Sequence, residues 1–218
     1  LGILLTFAKF MASFYLALAL LWGVLTLAGV AFLGKRAFTL IRLIREPFLL
    51  SFATASSEAA YPKLLDALDR FGVNRRISSF VLPIGYSFNL DGSMMYCTFA
   101  VLFISQVYGI DLPLGTQIAM LLMLMVTSKG MAGVPRASIV VIAATLNQFH
   151  LPEAGLLLIM GVDMFLDMGR SATNAVGNSI AAAVVAKWEG QLGNSRDDDG
   201  AGGGGVTEVK VHETSASA

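Results

Sequence analysis

The chain has 218 residues, of which 56% are hydrophobic and 14% are charged, against about 25% charged residues in a typical soluble domain. With a mean hydropathy of +0.70 this composition indicates a membrane protein, because a soluble fold could not cover its surface with so few charges. Fifteen basic residues balance fifteen acidic ones, which disfavours a nucleic-acid-binding protein, and the single cysteine, Cys97, excludes a disulfide framework and a cysteine-rich metal site.

The first predicted element is a spanning helix over residues 10–34, which carry no charge and at about 1.5 Å per residue exceed the roughly 30 Å core of a bilayer. The chain opens on Leu1 rather than Met, and its apolar start lacks the basic region and the cleavage site of a signal peptide. We therefore expect the C-terminal part of a longer protein.

Two stretches, residues 46–71 and 113–149, consist of short apolar arms around a polar or glycine-containing tip. Each arm is shorter than the about 20 residues that a membrane crossing needs. We therefore predict two re-entrant hairpins, whose non-helical tips are tolerated at membrane depth only where they pack in protein or line a cavity. Two interrupted segments separated by a span are typical of transporters. An ordinary pair of interfacial or buried helices remains the alternative for either stretch.

Between the two hairpins, residues 77–108 are apolar except for Asp91 and are too long for a simple span. Because glycines lie near the middle of this run, we predict a helix broken near Asn89–Gly92. An unwound turn there frees the backbone carbonyl groups of Gly85 and Asn89 for a ligand.

The predicted break also carries side-chain oxygen atoms, on Asn89, Asp91 and Ser93. Hard cations bind such mixtures of carboxylate, amide and backbone oxygen atoms. The sequence therefore predicts a cation site at the break. The alternative is a kink in which Asp91 only caps the half-helix that follows.

The last predicted helix covers residues 154–188 and carries a polar stripe inside an apolar segment. At 100° per residue, its polar side chains fall within about 100° of arc. They are Asp163, Asp167, Arg170, Ser171, Asn174 and Asn178. Charges within a membrane face protein or water rather than lipid, so the stripe indicates a binding site. An internal Asp–Arg pair that only stabilises helix packing is the alternative.

Residues 191–218 are rich in glycine and in acidic residues and nearly free of large apolar side chains, so we predict a disordered tail. Basic residues cluster after the first predicted helix, before the second and after the last. The positive-inside rule therefore places residues 35–76 and the tail in the cytoplasm. The first hairpin then enters from the cytoplasm and the second from outside.

Four runs of residues resemble the successive signatures of one family, the dicarboxylate/amino acid:cation symporters, which include the sodium- and proton-coupled glutamate and aspartate transporters. The runs are SSEAAYP at 56–62, NLDGS at 89–93, SKGMAGVP at 128–135 and DMFLDMGRSATNAVGN at 163–178. The resemblance covers about residues 1–190. It implies an all-α membrane protein with a glutamate-transporter-like transport domain, two re-entrant helical hairpins and a broken seventh helix. It also implies a multi-pass homotrimer in the cell (inner) membrane whose scaffold precedes Leu1.

The resemblance implies a site for an acidic amino acid. Arg170 matches the arginine that binds the side-chain carboxylate, and Asp167 matches the acid that pairs with the amino group. Ser56 and Ser57 match the serines that hold the main-chain carboxylate. The remaining pocket residues are Ser93, Gly133, Val134, Ser171 and Asn174.

The resemblance also implies cation sites for sodium ions or protons. The first comprises Gly85, Asn89, Asn174 and Asn178; the second comprises Ser87 and the 128–131 backbone, with Ser128 and Gly130; and the third includes Asn89 and Asp91. The two acidic residues Asp91 and Asp163 can each bind a proton or a sodium ion.

Three positions depart from the family pattern. Asn178 stands where strictly sodium-coupled members have Asp, Arg136 stands where Gly is usual, and Met131 replaces a small hydroxyl residue beside a cation site. An amide holds sodium less well than a carboxylate. We therefore expect proton coupling, alone or with fewer sodium ions than in the strictly sodium-driven relatives.

These features favour a secondary active symporter for glutamate and aspartate, with no cofactor and no enzymatic activity. A C4-dicarboxylate or neutral amino acid symporter of the same family is the alternative. From other classes, an intramembrane aspartic protease would use Asp91 and Asp163, but the Gly-x-Gly-Asp context of such proteases is missing. Asp167 and Arg170 share the helix face of Asp163, and a nearby arginine favours a charged carboxylate, whereas a dyad needs one carboxyl group that keeps its proton. A third hypothesis is that the chain is a purely structural membrane subunit.

Overall fold

The computed structural model describes residues 2–129, 131 and 134–193, with the backbone alone for Ile3. Within these ranges the chain forms ten α-helices. They are α1 (Gly2–Leu33), α2 (Arg36–Leu43), α3 (Arg45–Thr54), α4 (Tyr61–Phe71), α5 (Arg75–Phe88), α6 (Asp91–Val107), α7 (Leu114–Thr127), α8 (Ala137–Gln148), α9 (Gly155–Met160) and α10 (Asp163–Trp188). The predicted all-α class is confirmed for this part of the chain.

Helix α1 begins at Gly2, before the predicted start at residue 10, because the residues ahead of Lys9 are as apolar as those that follow. It ends at Leu33, where Gly34 takes a left-handed φ of 65° that glycine adopts without strain. Helix formation therefore extends further toward the N-terminus than the uncharged run alone indicated.

Two helical stretches, Leu4–Leu33 and Arg75–Val107, are long and apolar enough to cross a membrane by length and composition. The first exposes large apolar side chains along much of its length, including Leu16, Leu20 and Leu27. Such a surface calls for lipid or for further protein around it.

Two pairs of short helices, α3 with α4 and α7 with α8, occupy the stretches that were predicted as hairpins, and the helices of each pair contact one another. Within the first pair, Lys63 in the first turn of α4 forms an ion pair with Glu46 in the first turn of α3. Each tip contains a left-handed residue beside a helix: Ala55, with φ 51°, follows α3, and Arg136, with φ 64°, precedes α8.

The chain leaves the helix between α5 and α6 at Asn89 and Leu90, whose φ and ψ angles are −114° and 69°, and −109° and 57°. Pro83 lies inside α5 and does not end it. Half-helix α5 therefore ends, and half-helix α6 begins, beside the same two-residue break, so that the C-terminal carbonyl groups of one and the N-terminal N–H groups of the other meet there.

The predicted single helix over residues 154–188 is wrong in its first third. The structure has a short helix, α9, then Gly161 and Val162, then α10. Val162 has φ −123° and ψ −2°, which takes it out of the helix, and its N–H bonds to Ile159 O in a tight turn. Asp163 therefore lies in the first turn of α10, where the helix dipole favours a negative charge, and not inside a spanning helix.

Helix α10 is the centre of the fold and packs most extensively against α1, α3, α5 and α6. Small residues such as Gly169, Ala172 and Gly177 allow this close approach. Two hydrophobic clusters flank it. One joins the start of α1 to α6 and to α7–α9, and the other joins α2, α4 and α5 to the end of α10.

The start of the predicted disordered tail is wrong, because residues 191–193 pair with the turn after α4. Val73 and Leu192 form an isolated bridge, and the Gly193 N–H donates to Gly72 O at 2.8 Å. Arg36 binds the carbonyl groups of both Phe71 and Gly193. Backbone hydrogen bonds such as these leave no hydrophobic pattern in the sequence, so the composition of residues 191–193 could not predict them. The rest of the predicted tail, residues 194–218, lies outside the described residues.

Candidate functional site

The polar stripe of α10 is buried where the helix meets α6 and the loop before α8. At its centre is Arg170, a fully buried arginine. Its Nε donates to Asp167 Oδ1 at 2.5 Å, one guanidinium nitrogen donates to Ser93 Oγ at 3.2 Å, and the other donates to the Val134 carbonyl at 3.1 Å. One side chain therefore joins α10, the start of α6 and the loop between α7 and α8.

Asp167 is the second charged group of this centre and is also fully buried. Its Oδ1 accepts from Arg170, and its Oδ2 accepts from the backbone N–H of Arg136 at 2.5 Å. A buried carboxylate needs such partners because the loss of its hydration is costly. The pair brings a guanidinium and a carboxylate, the two charges that recognise opposite ends of a zwitterion, into one buried place.

Asn174 closes the site against the start of α6. Its Oδ1 accepts from the N–H groups of Gly92 and Ser93 at 2.9 and 3.4 Å, and its Nδ2 donates to Ser93 Oγ at 2.9 Å. These bonds satisfy N–H groups that the first turn of a helix leaves unpaired. A Cβ at Gly92 would collide with the Arg170 carbonyl, so glycine is required where α6 crosses α10.

One turn further along α10 the helix break meets Asn178. Asn89 Nδ2 donates to Asn178 Oδ1 at 3.1 Å, while Asn178 Nδ2 is buried without a hydrogen-bond partner among the described residues. A Cβ at Gly85 would overlap the Asn178 amide, and a Cβ at Gly177 would lie 2.6 Å from Asp91 Oδ2. At the break, the Asn178 amide therefore lies against the backbone of Gly85, and the Asp91 carboxylate lies against the backbone of Gly177.

Asp163 is an acidic residue at the N-terminus of α10, separate from the Arg170–Asp167 pair. It is fully buried, and its Oδ1 accepts from the Tyr96 hydroxyl at 2.5 Å. Its Oδ2 has no hydrogen bond in the described part of the chain, and Arg136 Nε lies 3.6 Å away. Sequence reasoning missed Tyr96; its position three residues after Ser93 on α6 was the signal that could have found it.

The described residues predicted for the second cation site come from two elements, α5 and the end of α7. Ser87 is half-buried in the last turn of α5, and Ser128 is a fully buried residue at the end of α7. Lys129 Nζ donates to the Phe88 carbonyl at 2.5 Å, which ties the loop after α7 to the end of α5. Sequence reasoning did not foresee this lysine contact. The predicted residues Gly130 and Gly133 lie outside the described residues.

The serines predicted at the first tip, Ser56 and Ser57, lie between α3 and α4 and are both buried, and α3 packs along α10. The Ser57 hydroxyl has no hydrogen-bond partner among the described residues, and neither has the hydroxyl of Ser171 on α10. An unsatisfied buried hydroxyl costs about 1–3 kcal/mol, so these groups suit a polar ligand.

No group of three or more His, Cys, Asp or Glu side chains that could hold a metal ion occurs in residues 2–129, 131 and 134–193. Any cation bound at the break would therefore use amide, hydroxyl and backbone oxygen atoms together with a single carboxylate. Such mixed oxygen sites suit hard cations and do not suit a tightly bound transition metal.

Comparison of the amino-acid sequence with known proteins identifies the relatives of this chain. Residues 1–188 match the family model of the sodium:dicarboxylate symporters. Over 171 residues, 78% of this chain and 41% of the relative, the chain is 50% identical to the proton/sodium-glutamate symport protein of Geobacillus stearothermophilus.

Two further relatives carry other substrate names. The proton/glutamate-aspartate symporter of Escherichia coli (strain K12) is 47% identical over 78% of this chain and 40% of the relative. The C4-dicarboxylate transport protein 1 of Mesorhizobium japonicum is 46% identical over 85% of this chain and 39% of the relative. The chain thus spans less than half the length of the curated relatives it matches.

Proposed function

The chain belongs to the sodium:dicarboxylate symporter family, and from this premise we propose that it forms the binding half of a secondary active symporter for glutamate and aspartate. Relatives that are 47–50% identical are named as glutamate or glutamate-aspartate symporters coupled to protons or sodium. Protons, sodium ions or both supply the driving force in this proposal.

The buried ion pair between Arg170 and Asp167 is the observation that carries the proposal. Arg170 offers planar paired N–H donors to the side-chain carboxylate of the substrate, and Asp167 accepts from its ammonium group. The substrate replaces part of the internal pair, so each buried charge keeps a partner in the bound and the free state. The buried hydroxyl groups of Ser57 and Ser171, which have no hydrogen-bond partner among the described residues, receive the main-chain carboxylate.

Cations bind at the helix break in this proposal. Asn89, Asn178 and Asp91 contribute oxygen atoms around the close approaches at Gly85 and Gly177. The last-turn carbonyl groups of α5 carry the negative end of its dipole, which favours a cation at the same place. Asn174 lies one helical turn from both Arg170 and Asn178 and binds the start of α6, so it would couple the cation site to the substrate site.

In the membrane, we infer that α3–α4 and α7–α8 are re-entrant hairpins. Their helices have 10, 11, 14 and 12 residues, fewer than the about 20 that cross a bilayer. The first hairpin enters the membrane from the cytoplasm, and the second enters from outside. The whole protein is a multi-pass homotrimer in the inner membrane, and its C-terminal tail is cytoplasmic.

The contacts of the two acidic residues argue against an aspartic protease. Asp91 faces Gly177 on α10, whereas Asp163 begins that helix. From Asp163 to Gly177 the helix rises about 21 Å at 1.5 Å per residue. A catalytic dyad needs two carboxyl groups close enough to share one proton, and this separation is too large for that.

The proposed substrate is tested by an uptake panel. We expect the intact protein, reconstituted in liposomes, to take up aspartate and glutamate at least about tenfold faster than succinate or serine. Succinate has no ammonium group for Asp167, and serine has no second carboxylate for Arg170, so each leaves one buried charge unpaired. Better transport of succinate than of aspartate would establish the C4-dicarboxylate alternative that the Mesorhizobium relative suggests.

The second hairpin is tested as the extracellular gate. Val134 is partly exposed, and its carbonyl accepts from Arg170. In a Cys97→Ala background, a Val134→Cys variant should react with a membrane-impermeant maleimide from outside, and saturating aspartate should slow this reaction at least about fivefold by closing the loop. Gly115→Cys, at the exposed start of α7, is the control whose reaction aspartate should leave unchanged. Equal protection at both positions, or at neither, speaks against a gate at this loop.

A further inference from the structure

Arg136 is the one residue of the second hairpin tip, among those described, that contacts both acidic residues of α10. Its backbone N–H donates to Asp167 Oδ2 at 2.5 Å, and its Nε lies 3.6 Å from Asp163 Oδ2. It does so from a left-handed conformation with φ 64°, which disfavours any residue with a Cβ. The two contacts hold it in a conformation that glycine would adopt more easily.

Asp163 needs this partner. It is fully buried, one of its oxygen atoms is occupied by the Tyr96 hydroxyl, and the other has no hydrogen bond among the described residues. Arg170 forms its ion pair with Asp167 instead, and its nitrogen atoms are bonded to Asp167, Ser93 and Val134. Of the described basic side chains, Arg136 is the one that forms an ion pair with Asp163.

The two partners differ sharply in exposure. The Asp163 side chain is 0% exposed, whereas that of Arg136 is 63% exposed. The guanidinium therefore reaches the buried acid from the solvent side of the loop and at a distance longer than a hydrogen bond. Its backbone contact and its side-chain contact belong to one residue, so a displacement of the loop away from α10 acts on both.

We propose that Arg136 is a tethered cation that occupies the negative field of Asp163 and competes there with a sodium ion. Within the proposed function, on which this inference rests, the guanidinium compensates the negative charge of the Asp163 carboxylate, which a bound sodium ion would otherwise compensate. It also fastens the loop to α10 when no such ion is bound. Removal of its charge should make the protein bind sodium more tightly.

Sodium binding to the intact protein in detergent tests this directly and does not depend on transport. Sodium chloride is exchanged for choline chloride at constant ionic strength, and the sodium concentration that gives half of the maximal rise in Tm is measured. Arg136→Gln should lower that concentration at least about tenfold relative to the unmodified protein, because a unit charge next to the carboxylate is lost. Arg136→Gly, which suits the left-handed φ, should lower it equally and replaces the glutamine variant if that variant is poorly folded.

Three controls decide the outcome. Arg136→Lys keeps the charge and should stay within about threefold of the unmodified protein. Arg76→Gln removes an equal charge from an exposed position at the start of α5 and should leave sodium binding unchanged. Asp163→Asn in the Arg136→Gly background should abolish the gain.

An unchanged sodium midpoint in both neutral Arg136 variants would overturn the proposal, as would an equal gain in Arg76→Gln or a gain that survives Asp163→Asn. A failure of aspartate to be transported in the uptake panel, with the sodium effect intact, would instead overturn the proposed substrate.

Discussion

Aspartate uptake by the Arg170→Ala variant is expected to fall by about 100-fold or more. The guanidinium is fully buried and binds Asp167, Ser93 and the Val134 carbonyl. Removal of one member of a buried ion pair costs about 3–5 kcal/mol, because the other charge is left without a partner. At about 1.4 kcal/mol for each tenfold change, this cost corresponds to a loss of two orders of magnitude or more. Initial rates of radiolabelled aspartate uptake in proteoliposomes measure it.

The same substitution should relax specificity, since a neutral side chain no longer leaves a buried guanidinium unpaired. Serine uptake by Arg170→Ala should therefore equal or exceed its aspartate uptake. The matched control is Arg75→Ala, which breaks two Arg–Asp pairs whose shared arginine is 51% exposed. Exposed pairs contribute about 0–1 kcal/mol, so uptake should stay near that of the unmodified protein. Unchanged aspartate affinity in Arg170→Ala would show that the arginine is only structural.

The Asn178→Asp variant is expected to shift the driving ion toward sodium. Asn178 is 1% exposed, and its Oδ1 accepts from Asn89 at the break that also holds Asp91. A carboxylate at this position adds a buried negative charge, which a bound cation then has to compensate. We expect the sodium concentration for half-maximal aspartate uptake to fall at least about tenfold. Uptake driven by a pH gradient without sodium should fall in parallel.

The unmodified protein is the reference for this experiment and should take up aspartate under a pH gradient in the absence of sodium. Asn147→Asp adds the same charge at an exposed position near the end of α8 and should leave the ion dependence unchanged. If the unmodified protein shows no uptake under the pH gradient and full uptake under a sodium gradient alone, Asn178 does not set the coupling ion.

The amino-acid sequence by itself determined the class and the family of this protein. Low charge content and long apolar runs indicated helices suited to a membrane, and the structure is all-α in its described part. The four contiguous motifs indicated the symporter family, and the family match over residues 1–188 confirmed it. Both results follow from information that is local along the chain: composition, periodicity and short runs of residues at close spacing.

The tertiary structure decided which of the predicted residues meet. The bonds from Asn174 to Gly92 and Ser93, and from Arg136 to Asp167, join positions that are far apart in sequence. No helical periodicity relates positions on different helices, so the prediction could place residues on one face but not across an interface. The contacts of Tyr96 with Asp163 and of Lys129 with Phe88 cross such interfaces, although the spacing of Tyr96 from Ser93 placed it on the correct face of α6.

Local backbone geometry also overrode the hydrophobic pattern at two places. The apolar run over residues 154–188 predicted one helix, but the turn at Gly161 and Val162 ends α9 and puts Asp163 at a helix N-terminus. Residues 191–193 looked like the start of a tail, yet their backbone groups pair with the turn after α4. Hydrophobic periodicity indicates which side chains become buried. Helix ends and backbone pairing depend instead on the hydrogen-bond partner of each backbone N–H and C=O group, and these partners are set only in the folded chain.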